Sequence, residues 1–227
     1  MRVIALVTCA VMPLLATMDV HAEFGGRIGI GSAEVFRGVK ETEDGLAVTG
    51  LLQYDAASGL YAAVWAGRTE FPYSGQGSDV EVDYIVGLGH ALTPDISLDT
   101  SIIHYSYPTS DLDYDWTEWY SSARLFDQWT VSVGIARDWL GVSKTTRVVE
   151  LSYRRSLPYG IVFDATGGYR DVSAVVGEDY SYYDFGLSRA LRRVQLRVSL
   201  VTSDSAARQI FGDSAATRWV GTVTWAF

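Results

Sequence analysis

The feature that most limits how this chain can fold is an alternation of apolar and polar residues with a period of two, repeated along nearly its whole length. "VEVDYIVGL" sets Val80, Val82, Tyr84, Val86 and Leu88 on one face and Glu81, Asp83, Ile85 and Gly87 on the other. "WTVSVGI" opposes Trp129, Val131, Val133 and Ile135 to Thr130, Ser132 and Gly134, and "RVQLRVSL" opposes Val194, Leu196, Val198 and Leu200 to Gln195, Arg197 and Ser199. Successive side chains of a strand point to opposite faces, so this is strand patterning with one strongly apolar face. No stretch beyond residue 22 reads as an amphipathic helix, and none reaches the roughly 18 apolar residues of a membrane helix.

Marking every such run predicts about twelve strands, near 26–37, 46–55, 59–69, 79–89, 95–106, 116–126, 128–138, 146–155, 160–170, 181–189, 192–202 and 217–227. The connections alternate in length. "DAASG", "HALTPD", "FDQ", "SLPYG" and "RALRR" are tight, whereas "VKETEDG", "EFPYSGQGSD", "YPTSDLDYD", "DWLGVSKTT", "DVSAVVGEDY" and "SDSAARQIFGDSA" are long and acidic or rich in glycine and serine. Short turns at one end and long loops at the other describe an up-and-down sheet, and an even strand number returns both termini to the short-turn side. The fold expected is therefore all-β: a transmembrane up-and-down antiparallel β-barrel of about twelve strands, the closed sheet being one of the two structures a bilayer tolerates.

Periodicity alone does not say which face points outward, and a soluble periplasmic β-barrel holding a small apolar ligand would reverse the faces. Three features favour the apolar face outside. The opposite face carries Arg68, Glu81, Asp83, Asp99, Glu118, Arg124, Glu150, Arg154, Asp164, Arg170, Asp184, Arg197 and Arg218, which as a dry core would cost several kcal/mol per unpaired ion. The aromatics Tyr54, Tyr61, Trp65, Trp119, Trp129, Tyr153, Tyr183, Trp219 and Trp225 sit mostly near strand ends, where two interfacial belts would lie. The sequence also closes on "VTWAF", with Val223, Trp225 and Phe227 on one face, an ending similar to the signal by which outer-membrane barrels are handed to their assembly machinery.

Composition narrows the function. "MRVIALVTCAVMPLLATMDVHA" has one early positive charge, an apolar run too short to span a bilayer and a small-x-small ending, which reads as a signal peptide cleaved after Ala22. Residues 23–227 then form the single exported barrel, placed in the bacterial outer membrane. Cleavage removes Arg2 and Asp19 together, leaving the net charge at -9, and removes Cys9, the only cysteine. Cys9 as a lipoprotein anchor fits poorly, with Thr8 before it and so short an apolar stretch. His90 and His104 are the histidines left, and asparagine is absent. No metal or cofactor is expected from this inventory, and an acidic chain without a basic stretch is no nucleic-acid partner. Outer-membrane lipid, lipopolysaccharide and, through Phe227, the barrel-assembly machinery are the expected partners.

"SAEVFRGVKET", "GLYAAVWAG", "EVDYIVGLG" and "IIHYSYP", spread between Ser32 and Pro108, resemble the Gcw_chp family of uncharacterised proteobacterial exported proteins. Glu34, Lys40 and Ala63 depart from its pattern. The resemblance implies an exported β-barrel and supplies no catalytic residues.

Twelve strands tilted near 40° enclose a backbone radius of roughly 12 Å, which side chains leave as a narrow passage or none. The seven inward carboxylates and six arginines named above allow two readings. They pair across strands and fill the wall, or they line a small polar channel whose selectivity follows from rings of charge. In the second reading, arginines from the later strands facing carboxylates from the earlier ones would set a field across the lumen.

Loop acids Glu41, Glu43, Asp44, Asp79, Asp111, Asp113, Asp115, Glu178, Asp179, Asp204 and Asp213 suit either a solvated rim or divalent cations shared with lipopolysaccharide. "HYS" places His104 and Ser106 on one strand face, similar to outer-membrane phospholipases. A serine nucleophile needs its base oriented by a third group, and the neighbouring strand offers Trp119 and Ser121 there instead of an acid. The chain is thus expected not to be an enzyme. "GGRIGIG" precedes no helix, so its glycines are read as easing strand curvature or close packing.

Overall fold

The computed structural model describes residues 22–42, 45–69, 80–111 and 113–227. The leader expected over 1–22 lies outside them except for Ala22. Twelve strands form one closed antiparallel barrel: β1 (Glu23–Gly31), β4 (Ala47–Asp55), β5 (Leu60–Gly67), β6 (Glu81–Thr93), β7 (Ile96–Ser106), β8 (Trp116–Leu125), β9 (Trp129–Ala136), β10 (Thr146–Ser156), β11 (Ile161–Asp171), β12 (Tyr180–Leu191), β13 (Val194–Ser203) and β14 (Arg218–Ala226). Between β1 and β4, the short strands β2 (Val35–Phe36) and β3 (Val39–Lys40) make a separate hairpin. Strand lengths of 8 to 13 residues suit tilted spans of a bilayer.

Each barrel strand pairs with its sequence neighbours except at the seam, where β1 meets β14 in the register Ile28↔Trp225 and Ile30↔Val223. The seam continues to residue 227: Phe227 and Gly26 exchange both backbone hydrogen bonds, at 3.0 and 3.1 Å. Tight turns join β4–β5, β6–β7, β8–β9, β10–β11 and β12–β13; the other connections are long and contain the helices α1 (Ser173–Val176) and α2 (Ser205–Phe211). Asp204 caps α2 by accepting from Ala207 N–H.

The faces are the decisive observation. Val131 and Leu196 point outward and are 41% and 44% exposed, while Asp83 and Arg197 point inward and are 3% and 8% exposed. Ile28, Leu52, Val64, Val86, Ile102, Leu151, Leu187, Val198 and Val223 continue an outward apolar band around the ring. A contiguous exposed apolar band of this kind marks a surface that faces something other than water. The inverted, ligand-holding arrangement is not the one this chain adopts.

The first predicted strand, 26–37, is corrected. β1 stops at Gly31, and the following residues turn into the barrel as the β2–β3 hairpin. Arg37 and Gly38 occupy its two-residue turn with φ of 48° and 82°, the left-handed pair of a type I′ turn. Glu34 carbonyl accepts from Glu41 N–H at 2.9 Å, lengthening the ladder at the hairpin base.

Candidate lumen and its hairpin

Inward positions fall into two zones. At the loop end, the hairpin meets a packed collar. Arg37 Nη2 lies 2.7 Å from Glu118 Oε2, and both side chains are nearly sealed from solvent. Tyr105 donates its hydroxyl to the same oxygen at 3.1 Å. The Phe36 ring meets Tyr105 edge-on at 6.0 Å, and Tyr105 stacks on Trp116 at 3.8 Å. Gly38 carbonyl accepts from Ser203 Oγ at 2.8 Å, across the lumen from Glu118. A Cβ on Gly38 would strike Ser203 and Tyr182 at 2.4 Å, so the turn fits against the β12–β13 wall only as glycine. Arg170 lies over Trp139 at 4.5 Å and reaches the Phe36 ring at 5.8 Å, tying hairpin to wall by cation–π contact.

Just below, Glu150 accepts from Tyr120 and Tyr182 hydroxyls, each at 2.5 Å. Nearer the short turns the wall is polar and more open. Arg197 holds Asp164 at 2.5 Å and Asp184 at 2.8 Å. Tyr61 donates to Asp99 at 3.1 Å, and Arg124 and Arg154 face the axis half-buried.

Of the charged residues expected to line the lumen, Glu81, Asp83, Asp99, Glu118, Arg124, Glu150, Arg154, Asp164, Arg170, Asp184, Arg197 and Arg218 take inward strand positions. Arg68 does not: it follows β5 at an outward, exposed position. Arg197 finds its carboxylates on neighbouring later strands, and Glu118 finds its cation on the hairpin, so these two pairs do not span the lumen from strand to strand.

Among the aromatics, Tyr54, Trp119, Trp129, Tyr153, Tyr183, Trp219, Trp225 and Phe227 face outward. Tyr61 and Trp65 are corrected: both point inward and are buried. Their strand is apolar on both faces, so its pattern left the parity open. Inward glycines make room for them, since a Cβ on Gly87 would lie 2.3 Å from the Tyr61 ring and one on Gly67 the same distance from Trp65. Sequence reasoning missed Arg37, the residue that links hairpin to wall. The signal was present, because a Gly-containing dipeptide between Val35-Phe36 and Val39-Lys40 is a two-residue hairpin turn.

The acid missing beside His104 and Ser106 is present after all. Asp115, just before β8, accepts from Ser106 Oγ at 2.8 Å and from Tyr107 N–H at 2.8 Å, and lies 3.7 Å from His104 Nε2. The order is wrong for a relay: the serine hydroxyl donates to the acid, and His104 Nδ1 lies 3.0 Å from Thr117 Oγ1. Other loop acids also serve inside the structure. Asp204 binds Ser181 N–H as well as capping α2, and Asp179 accepts from Val172 and Ser173 N–H. Glu41 is turned under the hairpin, half-buried. Desolvation, together with Glu81 and Glu34, raises its carboxyl well above the usual range against the pull of Arg170 and Arg37. Glu43, Asp44 and Asp79 lie outside the described residues. No group of three or more metal-ligating side chains occurs among the described residues.

The model of a family described as a bacterial protein of unknown function (Gcw_chp) matches residues 16–227. No curated protein matches the sequence. Among solved structures, the chain is similar to the KdgM porin, with TM-score 0.59 and 12% identity over 89% of this chain and 99% of the porin. The COG4313 outer membrane channel from Pseudomonas putida F1 gives TM-score 0.53 and 11% identity over 92% of this chain and 96% of the channel. At these identities the likeness shows the fold, a porin-type closed barrel.

Proposed function

We propose that this chain, which belongs to the bacterial Gcw_chp family, is a narrow outer-membrane channel without enzymatic activity. The observation that carries this reading is the division of faces: apolar residues outward around the whole ring, ionisable residues toward the axis. Outward aromatics support a seat in a bilayer. They form one girdle near the short turns, with Phe24, Tyr54, Trp129, Tyr153, Phe163 and Trp225, and another near the loops, with Tyr84, Trp119, Tyr169, Tyr183 and Trp219. Lipid meets the band between them, lipopolysaccharide the loop rim, and the Phe227 strand is the assembly signal.

The polar zone near the short turns is the channel mouth, where Arg124 and Arg154 face Asp99, Asp164 and Asp184 around a mixed-charge wall. Single-channel recording in planar bilayers tests the reading. Small, discrete conductance steps are expected from folded protein. Their complete absence at every pH and from every hairpin variant described below would leave a structural barrel of the envelope, which the packed collar favours as the second reading.

A further inference from the structure

The β2–β3 hairpin is held by one set of contacts and opposed by another. At its tip, Arg37 pairs with Glu118. At its base, Glu34 and Glu41 face Glu81 and Asp83 of β6, and the four carboxyls lie within electrostatic reach of one another. Glu81 and Asp83 occupy alternate inward positions of β6, and both are buried. One oxygen of each, Glu81 Oε2 and Asp83 Oδ1, is buried without a hydrogen-bond partner among the described residues. Carboxyls so placed are tolerated while protonated and repel when ionised.

The remaining charged and titratable groups packed around the hairpin are few. Lys40 is its own, Tyr105 and Glu118 come from β7 and β8, and Tyr107 follows β7. Arg170 comes from β11, Tyr180 and Tyr182 from β12, and Asp213 from the helical turn packed on β3. Three cations, Arg37, Lys40 and Arg170, stand against the four base carboxyls, and Arg37 is already committed to Glu118. Ionisation at the base therefore leaves negative charge in excess.

We propose that this hairpin is a displaceable plug, latched by Arg37 on Glu118 and released when the carboxyls at its base ionise, so that the lumen opens as pH rises. The sign follows from linkage. Docking raises the Glu41 carboxyl above its ordinary range, so the docked form binds more protons than the released one. It is favoured at low pH and loses that advantage as pH rises through the raised value. The inference rests on the channel reading for its biological consequence, while release itself can be measured separately.

The test uses the full barrel in detergent micelles, with Val39→Cys on the inner hairpin strand in a Cys9→Ser background. Its reaction with a polar maleimide, at reagent concentrations low enough that the rate is first order in reagent, reports the released fraction once corrected for intrinsic thiol ionisation with an unfolded control. The corrected rate is expected to rise between about pH 5 and pH 8, by up to about tenfold per pH unit for each proton lost. Glu41→Gln should flatten that rise and hold the hairpin docked at higher pH. Arg37→Ala, or Glu118→Gln if the first fails to fold, should label at the fast rate throughout. A corrected rate that is flat with pH and unchanged by these substitutions overturns the plug, whatever the conductance. Labelling that follows the expected pattern without any conductance upholds the plug and overturns the channel.

Discussion

Single residues in the collar are placed with little tolerance, and glycine marks where. A Cβ on Gly134 would lie 2.4 Å from Glu118 Oε1 and 2.7 Å from Val148 Cγ1, so Gly134→Ala must push aside the hairpin's partner. The expected cost is about 1–3 kcal/mol, read from the denaturant midpoint in micelles. Gly221→Ala is the control: outward, with nothing within 4 Å of the added methyl, it should leave the midpoint unchanged or slightly raised. Glu150 offers a second check at this scale. Removing one hydroxyl, by Tyr120→Phe or Tyr182→Phe, strips a buried carboxyl of one of its two tyrosine partners and should cost about 1–3 kcal/mol. A double-mutant cycle should show coupling, because both hydroxyls serve one group. Neither dependence was readable in advance. Alternation put Glu118 and Glu150 on the inward face, but which tyrosine or arginine reaches them depends on register across the sheet and on a hairpin that local pattern ran together with β1.

At the level of elements, the strands were the legible part and the segments between them were not. The β6 and β13 patterns alternate strictly, so their faces followed directly from sequence. Over "GLYAAVWAG" both faces are apolar, and the aromatics went to the wrong one. Loops resisted because their acids were counted as surface charge, whereas several are acceptors for backbone N–H groups. Asp179 shows the consequence. Desolvation pushes its carboxyl up, but bonds from Ser173, Tyr169 and Val172 outweigh that and hold it below the ordinary range. Its contribution is thus present above the usual carboxylate range and lost as pH falls through the lowered value. The protection of the Ser173 amide, measured against its intrinsic exchange rate at each pH, should fall on acidification, and Asp179→Ala should bring that lower protection to neutral pH. Likewise Asp204→Ala removes the cap of α2 and a bond to Ser181, with an expected cost of about 1–2 kcal/mol and faster exchange over Ser205–Phe211.

For the whole molecule, ring closure is the event on which lipid compatibility depends, since an open sheet edge cannot be satisfied in hydrocarbon. The ring of Phe227 covers Gly26, where a Cβ would sit 2.6 Å from it. Phe227→Ala should therefore lower the temperature at which the compact form is lost on heat-modifiable gels. The loss of a half-exposed ring corresponds to about 1–2 kcal/mol. Gly26→Leu should do similar harm by forcing that ring away.

Because each strand bonds to two neighbours and the seam differs from the other junctions only in lacking a covalent bridge, the cylinder has no privileged beginning. A variant joined by a short linker from Phe227 to Glu23 and cut within 137–145 would trace the same circle from a different starting point. Refolded into detergent micelles, where the assembly signal of the Phe227 strand is not called upon, such a circular permutant should run on the gel as the parent does.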